Sequence, residues 1–115
     1  MISLTTQAGA LTIGSGGISG GASATLLAAS NLNLSGNVTG PATSLTATTG
    51  AINQTSGIIT ATTLTGSSGA ATTLDDANAV GTLQNFTGGT GLSFVNASAL
   101  TATNDTATSG ALSLS

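Results

Sequence analysis

Apolar and polar residues alternate over short stretches along the chain, and these stretches recur at a nearly constant interval. In each stretch a glycine or another small residue is followed by two positions, spaced two residues apart, that are usually apolar. The first position is held by Leu11, Leu32, Ile52, Thr72, Leu92 and Leu112, and the second by Ile13, Leu34, Gln54, Leu74, Phe94 and Leu114. Successive members of each column are 20 or 21 residues apart. Alternation with period two is typical of β-strands, and a fixed repeat of this length predicts stacked repeat units.

The repeat predicts an all-β fold in which residues 1–115 form a single parallel β-helix, or β-solenoid, of about five to six coils of roughly 20 residues. One such coil cannot bury its apolar side chains, whereas stacked coils can. A further column, with a step of 19 residues, is formed by Leu26, Leu45, Leu64 and Leu83. We therefore expect the corners that flank this column to vary in length by one residue.

Two polar residues, Thr72 and Gln54, occupy column positions that otherwise hold apolar side chains. A buried polar feature is one interpretation. The alternative, which we favour, is that a corner carbonyl or a local bulge satisfies each side chain, because buried polar groups are nearly always hydrogen-bonded.

Composition supports a folded β structure. Disordered segments combine low hydrophobicity with high net charge, but here the mean hydropathy is +0.43 and only 3% of residues are charged. The abundant Ser, Thr, Gly and Asn are poor helix formers. No apolar run approaches the roughly 18 residues that a membrane-spanning segment needs.

Charged and reactive side chains are almost absent. Lys, Arg, His and Cys do not occur, and the only charged side chains are Asp75, Asp76 and Asp105. Without basic residues to neutralise phosphates, a nucleic-acid partner is not expected. Without His, Lys, Cys or Glu, no general base or activated nucleophile can be assembled. We therefore predict a protein that is not an enzyme and assign no catalytic, cofactor-binding or metal-binding residue.

Two candidate sites were weighed against simpler interpretations. Asp75, Asp76 and Asn78 offer the oxygen ligands that calcium takes, but we expect the two carboxylates to lie in a solvated corner. Threonine pairs spaced by one residue are typical of ice-binding solenoids, and they begin here at Thr46, Thr60, Thr101 and Thr106. Because these positions are not separated by the coil period, they are not expected to form one flat column. Ice binding is kept as the alternative function.

The repeats at residues 9–13 (Gly-Ala-Leu-Thr-Ile), 50–54 (Gly-Ala-Ile-Asn-Gln) and 61–69 (Ala-Thr-Thr-Leu-Thr-Gly-Ser-Ser-Gly) resemble the passenger repeats of filamentous-haemagglutinin-like adhesins. These are surface or secreted proteins of Gram-negative bacteria, exported by two-partner secretion or as autotransporters. The resemblance implies a right-handed parallel β-helix that serves as an adhesin shaft at the cell surface. It also implies neighbouring coils of a longer parent chain as partners, and receptors on host cells or other surfaces.

The chain departs from that family in scale, since such passengers are long. The sequence begins without a signal peptide and ends within a repeat, so we expect a fragment of a longer exported chain. Solenoids usually need polar caps at their ends, and neither terminal coil has one. The exposed strand edges predict end-to-end self-association of the isolated fragment.

Overall fold

The computed structural model describes all 115 residues, and every regular element in it is a β-strand. The strands are β1 Ile2–Thr5, β2 Leu11–Ile13, β3 Ile18–Ser19, β4 Ser23–Ala28, β5 Leu32–Leu34, β6 Val38–Thr39, β7 Ala42–Ala47, β8 Ile52–Gln54, β9 Ile59–Ser68, β10 Thr72–Gly88, β11 Leu92–Asn96, β12 Thr101–Thr103, β13 Thr106–Ala107 and β14 Leu112–Leu114. No helix with the length and apolarity of a membrane span is present.

All strand pairs are parallel, and each strand stacks on its equivalent in the neighbouring coil. The first sheet runs in the order β1-β4-β7-β9-β10, and β12 and β13 both pair with β10 at its far end. The second sheet runs β2-β5-β8-β10-β11-β14. A shorter ladder joins β3 and β6 to β9. The predicted β-solenoid of about six turns, roughly 20 residues apart, is confirmed.

The second sheet follows the columns predicted from the sequence. Leu11 pairs with Leu32, Leu32 with Ile52, and Ile52 with Thr72. The same column continues to Leu92 and Leu112. In the neighbouring column the ladder between β8 and β10 ends at Asn53, one residue before Gln54. The polar residue in that column therefore marks a local interruption of the sheet.

The first sheet follows the predicted 19-residue column at two of its three steps. Leu26 pairs with Leu45, and Leu64 pairs with Leu83. Between these pairs the column breaks: Leu45 pairs with Gly66, and Leu64 pairs with Thr43. The cause is two longer corners in one coil. The offset between stacked residues grows from 19 at Leu26/Leu45 to 20 at Leu32/Ile52 and to 21 at Val38/Ile59. The corner between β7 and β8 and the corner between β8 and β9 are therefore each one residue longer than their counterparts in the preceding coil. Together they shift the register by two residues, so that Leu64 pairs with Thr43 and not with Leu45.

Size complementarity compensates for this shift in the core. Gly66 pairs with Phe86 in the next coil, and a Cβ atom at Gly66 would lie 2.7 Å from the Phe86 ring. The same Cβ would also collide with the Leu45 carbonyl oxygen. Phe86 is fully buried, so the aromatic ring fills the volume that the missing side chain leaves. Close packing of this kind leaves no room for an additional methyl group.

One continuous core of buried apolar side chains runs through the stacked coils. Four polar side chains are buried within it: Thr43, Ser68, Thr72 and Asn78. Thr72 points inward as predicted, and its hydroxyl lies 2.7 Å from the Ser68 hydroxyl, which in turn donates to the Ala70 carbonyl. Thr72 therefore does not contact the corner carbonyl of Ala70 directly. The Ser68 hydroxyl lies between them and forms a hydrogen bond with each.

Candidate functional site

The outer face of the first sheet carries three parallel columns of short polar side chains. Residues alternate between the two faces of a strand, and in β4, β7 and β9 the inward positions are occupied by the core residues. The outward columns are Ser23, Ala42, Thr63, Thr82 and Thr101; Ser3, Thr25, Ser44, Thr65, Gln84 and Thr103; and Thr5, Leu27, Thr46, Ser67, Thr87 and Thr106. All positions except Leu27, Ala42 and Gln84 carry a hydroxyl group. We call this surface the hydroxyl face.

The hydroxyl groups of this face form no hydrogen bonds within the protein. Every side-chain hydroxyl that does so belongs to a corner, to the second sheet or to the interior. The face also carries no charged residue. Its hydroxyls are therefore available to water or to an external ligand as both donors and acceptors.

The spacing of the hydroxyl face is regular over its central coils. Alternate residues of a parallel strand lie about 6.6 Å apart and neighbouring strands about 4.8 Å apart. The lattice widens at its C-terminal end, where β10 inserts an extra residue between Leu83 and Phe86. Asn85 and Asn104, which follow the column residues there, both adopt positive φ values of 53° and 57°. The regular part is therefore the area formed by β4, β7 and β9.

As expected, the threonine pairs singled out in the sequence do not form one flat column. Thr46 and Thr106 lie in one column, but Ser67 and Thr87 stand between them. Thr101 lies in a different column, with Thr82. Thr60 belongs to the short ladder with β6, away from the hydroxyl face. Most of the hydroxyl face comes from residues outside these pairs, and only the strand register reveals it.

Asp75, Asp76 and Asn78 lie in an irregular stretch of β10 and have different surroundings. They lie on β10, where three residues separate Leu74 from Asn78 while one residue separates their partners on β11. Asp75 is exposed and accepts a hydrogen bond from the Ser93 hydroxyl at 2.6 Å. The Asn78 oxygen already accepts two hydrogen bonds. No group of three or more acidic, His or Cys side chains is placed to hold a metal.

Asp76 is less exposed than the sequence predicted. The side chain is half-buried, and its Oδ2 atom is shielded from solvent and lacks a hydrogen-bond partner. Its backbone N–H donates to the Gln54 side chain at 3.2 Å. The prediction of a solvated corner is thus correct for Asp75 and wrong for Asp76, because the chain folds back over the Gln54 side chain at this point.

Gln54 and Asn78 form a reciprocal amide pair between adjacent coils. The Gln54 Nε2 donates to the Asn78 Oδ1 at 2.7 Å, and the Asn78 Nδ2 donates to the Gln54 Oε1 at 3.1 Å. Asn78 is completely buried, and its Oδ1 also accepts the Ile59 N–H at 2.8 Å. Its Nδ2 lies 3.2 Å from the Leu74 carbonyl and 3.0 Å from the Val95 carbonyl.

This amide pair partly corrects the interpretation of Gln54. Its Nε2 does donate to a corner carbonyl, that of Gly57 at 3.1 Å, as expected. However, the larger part of the arrangement is a buried polar network centred on Asn78, which sequence reasoning missed. Thr60 pairs with Ala79, so Asn78 takes the place next to Ile59 in a stack otherwise formed by Ile18 and Val38. The signal in the sequence that indicates this network is a polar residue, Asn78, at a position where the preceding coils carry Ile or Val.

Asp105 occupies a position that belongs to the core in the preceding coils. Gln84 pairs with Thr103 and Thr87 with Thr106, which aligns Asp105 with the buried Phe86. The Asp105 Oδ1 accepts the Phe86 N–H at 2.9 Å, while Oδ2 is shielded and lacks a partner. Burial raises the pKa of this carboxyl group above its ordinary value, and hydrogen bonds from the backbone of Phe86 and Thr103 oppose the rise.

The surface has one concave feature, a groove of about 250 Å³ lined by residues 39–41 and 60–62. Its lining consists of threonine, glycine, alanine and proline, with no charged side chain. The groove offers three threonine hydroxyls as its only polar side-chain groups, far fewer than the outer face of the first sheet. The hydroxyl face is the stronger candidate for contact with a ligand.

Comparison of the chain with protein-family models, with curated proteins and with solved structures finds no match.

Proposed function

We propose that this chain is a non-catalytic structural segment of the shaft of a bacterial surface or secreted adhesin. The observation that carries the proposal is the uninterrupted stacking of parallel coils around one core, from β1 to β14. Such a stack grows along one axis by about 4.8 Å with every coil. A polypeptide built in this way holds whatever follows it at a set distance from its anchor, which is the role of a shaft.

The near absence of ionisable groups supports the same role. General acid–base and nucleophilic catalysis depend on side chains such as His, Lys, Cys and Glu, and this chain has none. Its three carboxylates lie apart from the groove and outside any metal-binding cluster. The resemblance of the repeats to filamentous-haemagglutinin-like passengers supplies the surface location and the adhesive context of the proposal.

Tandem chains test the shaft proposal. One, two and three copies of residues 1–115 are joined in register. Every copy carries Asp105→Asn, so that no charge is buried where one copy meets the next. Small-angle X-ray scattering measures the maximum dimension of each chain. A continuous shaft lengthens in proportion to the number of coils, by about 4.8 Å per coil. Copies that scatter as separate beads on flexible connections would overturn the proposal. Binding of beads coated with the triple copy to epithelial cells, compared with uncoated beads, tests the adhesive part.

The hydroxyl face supports a second candidate function, binding to ice. Its hydroxyls form no internal hydrogen bonds, carry no charge and repeat at about 4.8 Å by 6.6 Å. The oxygen lattice of ice repeats at similar distances. A rigid two-dimensional array of this kind matches a rigid two-dimensional ligand better than it matches a flexible one, because neither partner loses conformational entropy on contact.

A matched pair of lysine substitutions tests ice binding. Thr65 lies in the middle column of the regular area, on β9, and Thr73 lies on the outer face of the second sheet. Thr65→Lys should abolish ice recrystallisation inhibition by the parent protein, and Thr73→Lys should leave it intact. A parent protein that neither inhibits recrystallisation nor adsorbs to ice would exclude this function. Equal loss in both variants would assign the effect to charge and not to the hydroxyl face.

A further inference from the structure

The two ends of the solenoid present strand edges with the same column order. At the N-terminal end β1 pairs only with β4 and β2 only with β5. At the C-terminal end β12 and β13 pair only with β10, and β14 only with β11. A second copy of the chain that continued the ladders would therefore place its β1 on β12 and β13, and its β2 on β14.

Most columns would continue well across such a junction. In the second sheet, Leu11 of the incoming copy would stack on Leu112, which is 47% exposed, and Ile13 would stack on Leu114. In the first sheet, the incoming Ile2 would stack on Ala102. All of these are apolar contacts of the kind that joins the internal coils. Each end of the solenoid is therefore suited to bind a further coil of the same type, because the contacts would match those between the internal coils.

One column is different. Its members from the first coil to the fifth are Leu4, Leu26, Leu45, Gly66 and Phe86, and the sixth is Asp105. In a junction between copies, Leu4 would cover the Asp105 carboxylate and remove the water that now reaches it. Because one of its oxygens already lacks a hydrogen-bond partner, the covered carboxylate would be buried with only the partners it has now. Burying an unpaired charge is strongly unfavourable.

We propose that Asp105 controls head-to-tail stacking of this chain onto further copies of itself, blocking the junction as a carboxylate and permitting it when neutral. Inward-pointing charges protect exposed sheet edges from pairing in other β proteins. The open edges alone predict self-association. The position of Asp105 in the core column makes that association depend on one ionisable side chain.

No other charge in the chain compensates for Asp105. The protein has no Lys, Arg or His. On β10, against which Asp105 packs, the charged residues are Asp75 and Asp76, which lie in the irregular stretch between Leu74 and Asn78. β12 and β13 carry none. The α-carboxylate of Ser115 follows β14. The single cation is the α-amino group of Met1 of the incoming copy. Met1 precedes Ile2, which would stack on Ala102, whereas Leu4 would stack on Asp105.

Sedimentation velocity of the whole chain tests the inference. The parent should be monomeric at neutral pH and form elongated oligomers on acidification. Because burial raises the pKa of Asp105, assembly should begin above the ordinary aspartate value of 3.8. Asp105→Asn and Asp105→Leu should assemble at neutral pH with roughly ten- to hundredfold lower dissociation constants than the parent, as expected when an unpaired buried group is removed. Asp75→Asn, which removes an exposed carboxylate, should behave as the parent does.

A second substitution tests the register of the junction. Leu4→Asp in the Asp105→Asn background places a carboxylate on the opposite edge of the same column and should restore the monomer at neutral pH. The inference is overturned if the parent assembles at neutral pH as readily as Asp105→Asn. It is equally overturned if Asp105→Asn and Asp105→Leu stay monomeric while circular dichroism shows that they are folded. Should acid unfold the parent, the two neutral-pH variants decide the question alone.

Discussion

Replacing Asn78 with leucine removes the centre of the buried amide network while keeping the number and branching of the side-chain heavy atoms. The Ile59 N–H and the Leu74 and Val95 carbonyls each lose a hydrogen-bond partner. Each buried group left unpaired costs about 1–3 kcal/mol, so the three together cost roughly 3–9 kcal/mol. The apolar side chain returns about 1.5–3 kcal/mol through burial. Taking the midpoints of these two ranges, we expect Asn78→Leu to lower the free energy of unfolding by about 4 kcal/mol. This is a large share of the typical total of about 5–15 kcal/mol.

Urea unfolding followed by far-ultraviolet circular dichroism measures this loss. Asn53→Leu is the matched control, because the only side-chain hydrogen bond of Asn53 is a long one of 3.4 Å to Asn33, and a change within about 0.5 kcal/mol is expected there. Gln54→Leu completes a double-mutant cycle, in which directly bonded residues couple by about 0.5–3 kcal/mol. Hydrogen exchange at the Ile59 amide should accelerate in Asn78→Leu. If Asn78→Leu and Asn53→Leu are equally stable, the network does not hold the coils together.

Three further predictions address the core and the carboxylates. Leu74→Ala should lower stability by about 2–5 kcal/mol because the side chain is completely buried, whereas Asp75→Asn, at an exposed position, should not lower it by more than about 0.5 kcal/mol; urea unfolding measures both, and calcium that stabilises only the parent would contradict this. Gly66→Ala should destabilise the protein because its Cβ meets a carbonyl and an aromatic ring, and an unchanged melting temperature would refute that packing. The pKa of Asp105 is raised in the folded state, so the folded protein binds a proton at this carboxyl group more readily than the unfolded chain does. The contribution of Asp105 to stability is therefore greatest below its pKa in the unfolded chain. That contribution is lost as the pH rises through its pKa in the folded protein. Asp105→Asn should remove that part of the pH dependence of thermal unfolding.

The second sheet could be predicted from the sequence because both of its columns repeat at nearly constant spacing. Leu11, Leu32 and Ile52 are equivalent in the sequence pattern and in the strand register. The first sheet could not be predicted in the same way. Two corners add a residue each, so that Leu64 stacks on Thr43 and not on Leu45. A leucine column with a step of 19 fits the sequence equally well, and only three-dimensional packing separates the two registers.

The candidate site was hidden for the same reason. The hydroxyl face combines single Thr and Ser residues from different coils, such as Thr25, Ser44 and Thr65. A search for adjacent threonine pairs does not find them, because membership depends on register and on strand direction. In the sequence, Asn78 stands out only as an oxygen ligand beside Asp75 and Asp76, because its burial depends on a partner, Gln54, located in the preceding coil. Chemistry that depends on contacts between coils is visible only once the coils are aligned.

The pairing of Gly66 with Phe86 has a consequence for how such a chain can evolve. Repeats of about 20 residues invite growth by duplication and loss by recombination, as if the units were interchangeable. Here a glycine in one unit accommodates an aromatic ring from the next, and a unit carrying a larger residue at that position would collide with the ring. The order of these two units is therefore fixed by steric fit. Unequal crossing-over that separated Gly66 from Phe86 would yield a chain with intact repeats and a defective core.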